Sequence, residues 1–426
     1  MELLIFTTSL FAFLALGIPI AIVLSLCAMS LMLFMGQWDP ATLAQNMVMG
    51  TNNYPLMAIP FFMLSGEIMS EGGLSIRIVK FSKLLVGRVK GGLGYTAIVA
   101  SILFSGLSGS AVADAAILGA IMIPLMTKNG YKPHRSAGLI CSSSIIAPII
   151  PPSIPLIILG TTANLSITRL FMAGIIPGIV LGIGLLIVWW FVVKKDGYCD
   201  VETFTKEEAI KVIKESLPAL FMPVMIIGGI RFGVFTPTEA GAFAAVYALV
   251  ICMFYYKELD KSKLEKIFVK TAKSTAIVMF IVASASAVGW LITIAQIPVQ
   301  VAELLGGFIE HPLLLLLIIN CFLFVMGMIM DITPNILIFT PVLFPVILAA
   351  GIDPYFFGLI MVLNLCLGLI TPPVGVVLYI GCSTAKIPFS QMVIGIMPFL
   401  AAQLLVLLIC IFFPALVTVP MNFFMG

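Results

Sequence analysis

The sequence predicts an all-α polytopic membrane protein built as an inverted-topology repeat, each half carrying a re-entrant helical hairpin and a broken helix. Three observations carry this prediction. Apolar residues fill 61% of the 426 positions and charged residues only 10%, against about 25% charged in ordinary soluble domains. Apolar stretches of the roughly 20 residues that a helix needs to cross the hydrocarbon core recur from Leu3 to Pro420. The chain also aligns with itself: at an offset of 221, residues 130–178 match 351–399 without a gap, with nine identities. Seven of the nine are Gly or Pro, at Gly130/Gly351, Pro133/Pro354, Pro151/Pro372, Pro152/Pro373, Gly160/Gly381, Gly174/Gly395 and Pro177/Pro398. Composition alone would give about 0.5 such matches, so the shared breaks mark a repeat.

Composition excludes other classes. Strand-like alternation is lacking, which argues against an outer-membrane barrel. The eight cysteines, Cys27, Cys141, Cys199, Cys252, Cys321, Cys366, Cys382 and Cys410, show no CxxC spacing and lie almost entirely in apolar spans. They are expected to be free thiols, with neither a disulfide nor a zinc framework. The first apolar run, Leu3 to Met35, is too long for a signal-peptide core and lacks a basic start, so it should remain as a span.

Orientation follows from charge. Lysine and arginine cluster at 77–90, 128–135, 194–214 and 257–273, all cytoplasmic by the positive-inside rule. After Lys273 the only base is Lys386, with acids at Glu303, Glu310, Asp331 and Asp353, so the last third turns most of its loops outward. Two apolar segments, 91–127 and 312–349, are interrupted by polar residues near their middles and have both ends predicted on one side. Each reads as a hairpin of two half-helices, the first entering from inside and the second from outside. The interruptions carry Asp114 and Asp331, which align at an offset of 217 together with Pro124 and Pro341.

The resulting organisation is a first repeat over 1–194, with its hairpin at 91–127 and a broken helix at 136–163. A cytoplasmic linker follows over 195–216. The second repeat spans 217–426, with a hairpin at 312–349 and a broken helix at 354–385. The segment 74–90 alternates apolar and basic residues as an amphipathic helix on the inner surface would, and 297–310 holds the equivalent place in the second half.

Non-helical backbone at membrane depth is tolerated only where protein or a watery cavity surrounds it. Paired Gly/Pro-interrupted spans are the strongest sequence pointer to the substrate and ion site of a secondary transporter. Here the pair is APIIPPS at 147–153 and GLITPPV at 368–374. Tandem prolines remove amide donors and leave carbonyl oxygens unpaired just before them, which suits a hard cation such as sodium. Asp114 and Asp331 are candidates for ion ligation, proton carriage or capping of the second arm of each hairpin. Half-helix N-termini would attract an anionic substrate, with Ser153, Thr161, Asn164, Thr333, Asn335, Ser383 and Thr384 as nearby hydroxyl or amide groups. Arg169 and Lys386 lie near the ends of the broken spans, where they could meet substrate or lipid headgroups.

Other classes find less support. GLSG at 106–109 matches the GxSG pattern of intramembrane serine proteases, but His134 and His311 belong to a basic stretch and a connector. No HExxH or GxxxxGK[ST] occurs. A passive channel would not need two opposed hairpins, whereas a binding-protein-independent ion-coupled anion symporter would share them.

Five motifs in order, FSGLSGSAVAD at 104–114, IAPIIPPS at 146–153, FTPTEA at 235–240, GMIMDITPN at 327–335 and LITPPVG at 369–375, resemble the large membrane subunit (DctM-type) of tripartite ATP-independent periplasmic (TRAP) transporters. The resemblance spans essentially the whole chain. It implies a bacterial inner-membrane importer of organic anions, such as sialic acid, another sugar acid or a C4-dicarboxylate. Import would be driven by at least two sodium ions through an elevator movement of a hairpin-bearing domain against a scaffold. It implies two partners, a small four-helix membrane subunit, expected as a separate chain, and a periplasmic substrate-binding protein; no enzyme activity, organic cofactor or nucleic acid is implied. Carried over by position, one sodium site would use oxygens around Ser108, Ser110, Ala147, Ile150 and Pro152. The other would use Gly327, Gly368, Thr371 and Pro373. Ala147 stands where the family pattern has glycine, while its repeat mate Gly368 keeps it.

Overall fold

The computed structural model describes residues 1–198, 201 and 204–425, and among these every regular element is a helix. Seven of the helices are long and apolar enough to cross a membrane. The longest, Lys261–Ile294, has 34 residues. At 1.5 Å per residue it measures about 51 Å against about 30 Å of hydrocarbon, so its lysine-rich start projects beyond the apolar layer.

Both expected hairpins are present. The first joins Gly92–Ser108 to Ala111–Lys128 through Gly109 and Ser110. Gly109 has φ +61°, and a Cβ there would lie 2.4 Å from the Pro152 carbonyl oxygen, so the turn requires glycine both for its backbone and for its contact with the first break. The Ser110 hydroxyl accepts from the Ala113 amide and caps the second arm. The second hairpin joins Pro312–Ile329 to Ile332–Ala349 through Met330 and Asp331. The broken helices are Pro133–Ser144 with Ile154–Thr162, and Pro354–Gly368 with Val376–Ala385. Each break contains a cis Pro–Pro bond, at 151–152 and 372–373.

The packing repeats with the sequence. Each hairpin's first arm lies on the first half of its own broken helix, and its second arm lies on that half and on the second half from the other repeat. The same position supplies a polar clasp in both copies. Ser101 donates to the Ser143 hydroxyl at 2.8 Å, while Asn364, 221 residues after Ser143, donates to the Asn320 side chain at 2.7 Å. Lipid gives helices no hydrophobic reason to associate, so close approach at small residues and interhelical hydrogen bonds hold such a core together. The repeat mates Gly174 and Gly395 show this: a Cβ on either would sit 2.1 Å from a carbonyl oxygen, of Ile149 and His134 respectively.

At the base of the first hairpin, Trp189 is fully buried, donates to the Gly91 carbonyl at 3.0 Å and stacks between Tyr131, Tyr198 and Phe399. Lys132 pairs with Asp196 at 2.6 Å beside it. The amphipathic helix is Leu74–Val86, and it buries Leu74, Ile78 and Val79. Its counterparts in the second half are Ile297–Leu304 and Gly306–Ile309.

The expected linker 195–216 is helical at both ends. The span Ile167–Asp196 runs into its start, and the mixed-charge run 206–215, patterned as a solvated helix face, opens the helix Lys206–Arg231 behind a Thr205/Glu208 capping box. The physical reason is that no breaker separates Lys206 from the apolar run after it, so one helix carries the chain back to the bilayer. Residues 199, 200, 202 and 203 of that linker, Cys199 among them, lie outside the described residues; the other seven cysteines are free.

Candidate functional site

A cavity of about 440 Å³ opens where the two repeats meet. Residues 108–113 of the first hairpin tip and Asp331, Ile332 and Thr333 of the second line it together, with Pro148, Ile154 and Pro155 around the first break and Leu369 at the second. Two tips from opposite repeats reach one space. The remaining wall comes from Ala116 and Ile117 on the first hairpin's second arm and from two outer helices: Met63, Gly66 and Glu67 on Ala58–Glu71, and Lys270, Thr271, Ser274 and Val278 on Lys261–Ile294.

The backbone around the breaks is rich in unused acceptors. Among the described residues no hydrogen bond reaches the carbonyls of Ser108, Ala147, Ile150 or Pro152, nor those of Gly327, Thr371 or Pro373. Two of the positions carried over from the family pattern differ, because the Ser110 carbonyl accepts from Asp114 N at 3.0 Å and that of Gly368 from Thr371 N at 3.0 Å. Buried carbonyls normally find a donor, so the unpaired ones at each break are acceptors left available to a ligand. The second break also depends on glycine: a Cβ on Gly368 would come within 2.3 Å of the Gly327 carbonyl carbon. Ala147, the mate of Gly368, is buried with its methyl accommodated.

The two aspartates that align in sequence do different things. Asp114 is fully buried behind the first tip and accepts a short hydrogen bond from the Ser108 hydroxyl, while Ser110 caps the helix. Asp331 holds the N-cap position itself, makes no side-chain cap bond and is exposed within the cavity lining. The offset that pairs them therefore joins a residue in the first turn of one arm to the N-cap of the other. Asn335 secures the second tip by donating to the Met330 and Asp331 carbonyls at 3.1 and 2.9 Å.

The proposed substrate groups divide likewise. Thr333 lines the cavity. Ser153 caps Ile154–Thr162 by accepting from Leu156 N at 3.2 Å and donates to the Pro148 carbonyl, so it shapes the wall from behind. Thr161 and Thr384 donate to carbonyls of their own helices, and Asn164, Arg169 and Ser383 are exposed outside the cavity lining, Arg169 facing the Tyr355 ring. Neither His134 nor His311 is among the lining residues, and the Ser108 hydroxyl is engaged by a carboxylate instead. Sequence reasoning missed Glu67 and Lys270. The available signal was an isolated acid in the apolar run 58–70 and the last lysines of a basic cluster that continue onto a membrane helix.

The family model described as "Tripartite ATP-independent periplasmic transporter, DctM component" matches residues 7–416. The chain is 45% identical to the 2,3-diketo-L-gulonate TRAP transporter large permease protein YiaN of Escherichia coli K12, covering 99% of both chains. It is 38% identical to the sialic acid TRAP transporter large permease protein SiaM of Vibrio cholerae, covering 96% of both. The crystal structure of the Alcanivorax borkumensis YdaH transporter shares the fold, with a TM-score of 0.63 at 15% identity over 91% of this chain and 89% of that one. With the family model spanning nearly its whole length and relatives this similar end to end, the chain belongs to the DctM family, the large permease subunits of TRAP transporters.

Proposed function

We propose that this multi-pass inner-membrane subunit imports a carboxylate-bearing organic anion, driven by at least two sodium ions. The proposed cargo is an acidic sugar of the sialic acid or diketogulonate type, which the names of the relatives favour over a C4-dicarboxylate. A periplasmic binding protein delivers it, and a small membrane subunit completes the assembly.

The observation that carries this reading is the convergence of both hairpin tips and both breaks on one cavity, with unpaired carbonyls at each break and Ser108 in the cavity wall itself. Its volume falls in the range of about 300–1,000 Å³ usual for small-molecule sites. Sodium at the breaks would neutralise carbonyl dipoles and place positive charge beside an incoming carboxylate, so ion and substrate would stabilise each other's binding. Alternating access by an elevator requires the hairpins and broken helices to move as one body. The clasps Ser101–Ser143 and Asn320–Asn364 supply the internal connections for that.

The test is uptake of labelled N-acetylneuraminate and 2,3-diketogulonate into proteoliposomes holding this chain and its small partner, with binding protein outside. Uptake that needs both an inward sodium gradient and the binding protein supports the proposal. Uptake driven by a proton gradient alone, or without the binding protein, would overturn it in favour of an independent anion symporter.

A further inference from the structure

The cavity wall contains an ion pair that the sodium sites do not use. Lys270 Nζ lies 2.7 Å from Glu67 Oε2, with the lysine side chain 61% exposed and the glutamate 20%. Both residues line the cavity, on outer helices rather than on hairpins or broken helices. Lys270 is the only base among the described lining residues, whereas Glu67 and Asp331 are both acids. Without Lys270 an anion in this space would meet two carboxylates and no fixed cation. The lysine stands about 14 Å along its helix from Lys261, at 1.5 Å per residue, on the side that the positive-inside rule places in the cytoplasm. Lys266, four residues before, and Lys273, three after, share its face; Lys266, nearer the Lys261 end, continues the basic surface outward, while Lys273 lies one turn deeper.

We infer that Lys270 is a positioning residue for substrate on the cytoplasmic side: it leaves Glu67 for the substrate carboxylate when the site faces inward, and thereby sets affinity for release. This rests on the organic-anion reading above. The exchange is a competition between two carboxylates for one ammonium. Glu67 keeps Lys270 in place while the cavity holds only water, and takes it back as the anion departs towards Lys266. Lysine suits the task because its ammonium is a mobile point charge on a flexible stem rather than a fixed bidentate fork.

The experiment is exchange in proteoliposomes holding this chain, its small partner and the external binding protein. Unlabelled N-acetylneuraminate or 2,3-diketogulonate is loaded inside at graded concentrations while the labelled acid enters. The internal concentration that half-saturates exchange is read for wild type, Lys270→Gln, Lys270→Arg, Glu67→Gln and the double charge swap Glu67→Lys/Lys270→Glu. Lys270→Gln should raise it about tenfold or more, Lys270→Arg by about threefold or less, and Glu67→Gln should lower it by freeing the lysine. The charge swap rebuilds the bridge and keeps one ammonium in the cavity wall, but moves it off the basic face that leads to Lys266 and puts an acid there instead, so it should behave like Lys270→Gln. A bridge that is merely structural predicts the reverse pattern, with Lys270→Gln and Glu67→Gln impaired alike and the swap restored; that result, or an unchanged Lys270→Gln, overturns the inference. If Lys270→Gln fails to fold, Glu67→Gln decides alone, since it breaks the same bridge and must tighten internal binding. Wild type that takes up neither acid would sink the anion-import reading and the inference with it, whereas active wild type with an indifferent Lys270→Gln sinks only the inference.

Discussion

Substituting Gly368 by alanine tests whether the close approach of the second hairpin to its broken helix builds an ion site. An ideal Cβ at Gly368 would lie 2.3 Å from the Gly327 carbonyl carbon, 2.5 Å from its Cα and 2.6 Å from its oxygen. All three are backbone atoms, so no rotamer change relieves the contact. Carbon atoms pack at about 3.5 Å or more, and the arm Pro312–Ile329 must therefore retreat by roughly 1 Å. Overpacking of this kind costs about 1–3 kcal/mol, and a constellation that works only within about 0.5 Å would be lost. Gly368→Ala should therefore assemble with its small partner at a lower melting temperature, and the sodium concentration giving half-maximal uptake should rise by about tenfold or more. Ala147→Gly is the control, because its methyl is already accommodated; it should leave sodium activation within about threefold of wild type. Gly368→Ala with unchanged sodium activation would refute the view that the carbonyls of Gly327 and Thr371 form one shell.

Further outcomes follow from other particulars. Asp331→Ala, at the exposed second tip, should cut uptake by about tenfold or more while preserving assembly, read by transport beside size-exclusion chromatography. Ser108→Ala leaves the buried Asp114 carboxylate without its hydroxyl donor and should lower the melting temperature by an amount equivalent to about 1–3 kcal/mol. Asn364→Ala strands the Asn320 side-chain oxygen and should destabilise by about 0.6–1.7 kcal/mol, the range for interhelical hydrogen bonds in bilayers. In a cysteine-free background, Lys261→Cys should label only from the cytoplasmic side and Glu310→Cys only from the periplasmic side; the opposite pattern would invert the topology drawn from charge.

The sequence by itself determined where the backbone breaks and how the two halves correspond. Gly and Pro act locally: Pro151–Pro152 and Pro372–Pro373 interrupt their helices whatever surrounds them, and Gly109 and Gly368 permit contacts that a Cβ would block. Their spacing therefore survives as a readable repeat, and the hairpins and broken helices lie close to the ranges it predicts. Which side chains share the cavity was decided only by tertiary packing. Asp114 and Asp331 match in sequence, yet one is buried against Ser108 and the other is exposed at the tip, because their arms begin at different points in the turn. Thr161 and Thr384 have the right chemistry but spend their hydroxyls on their own helices. Glu67 and Lys270 meet across two outer helices that are distant in the chain. A helix's sequence records which of its faces can be buried, but not which distant helix will cover that face, and the wall of a site built between repeats consists of such pairings.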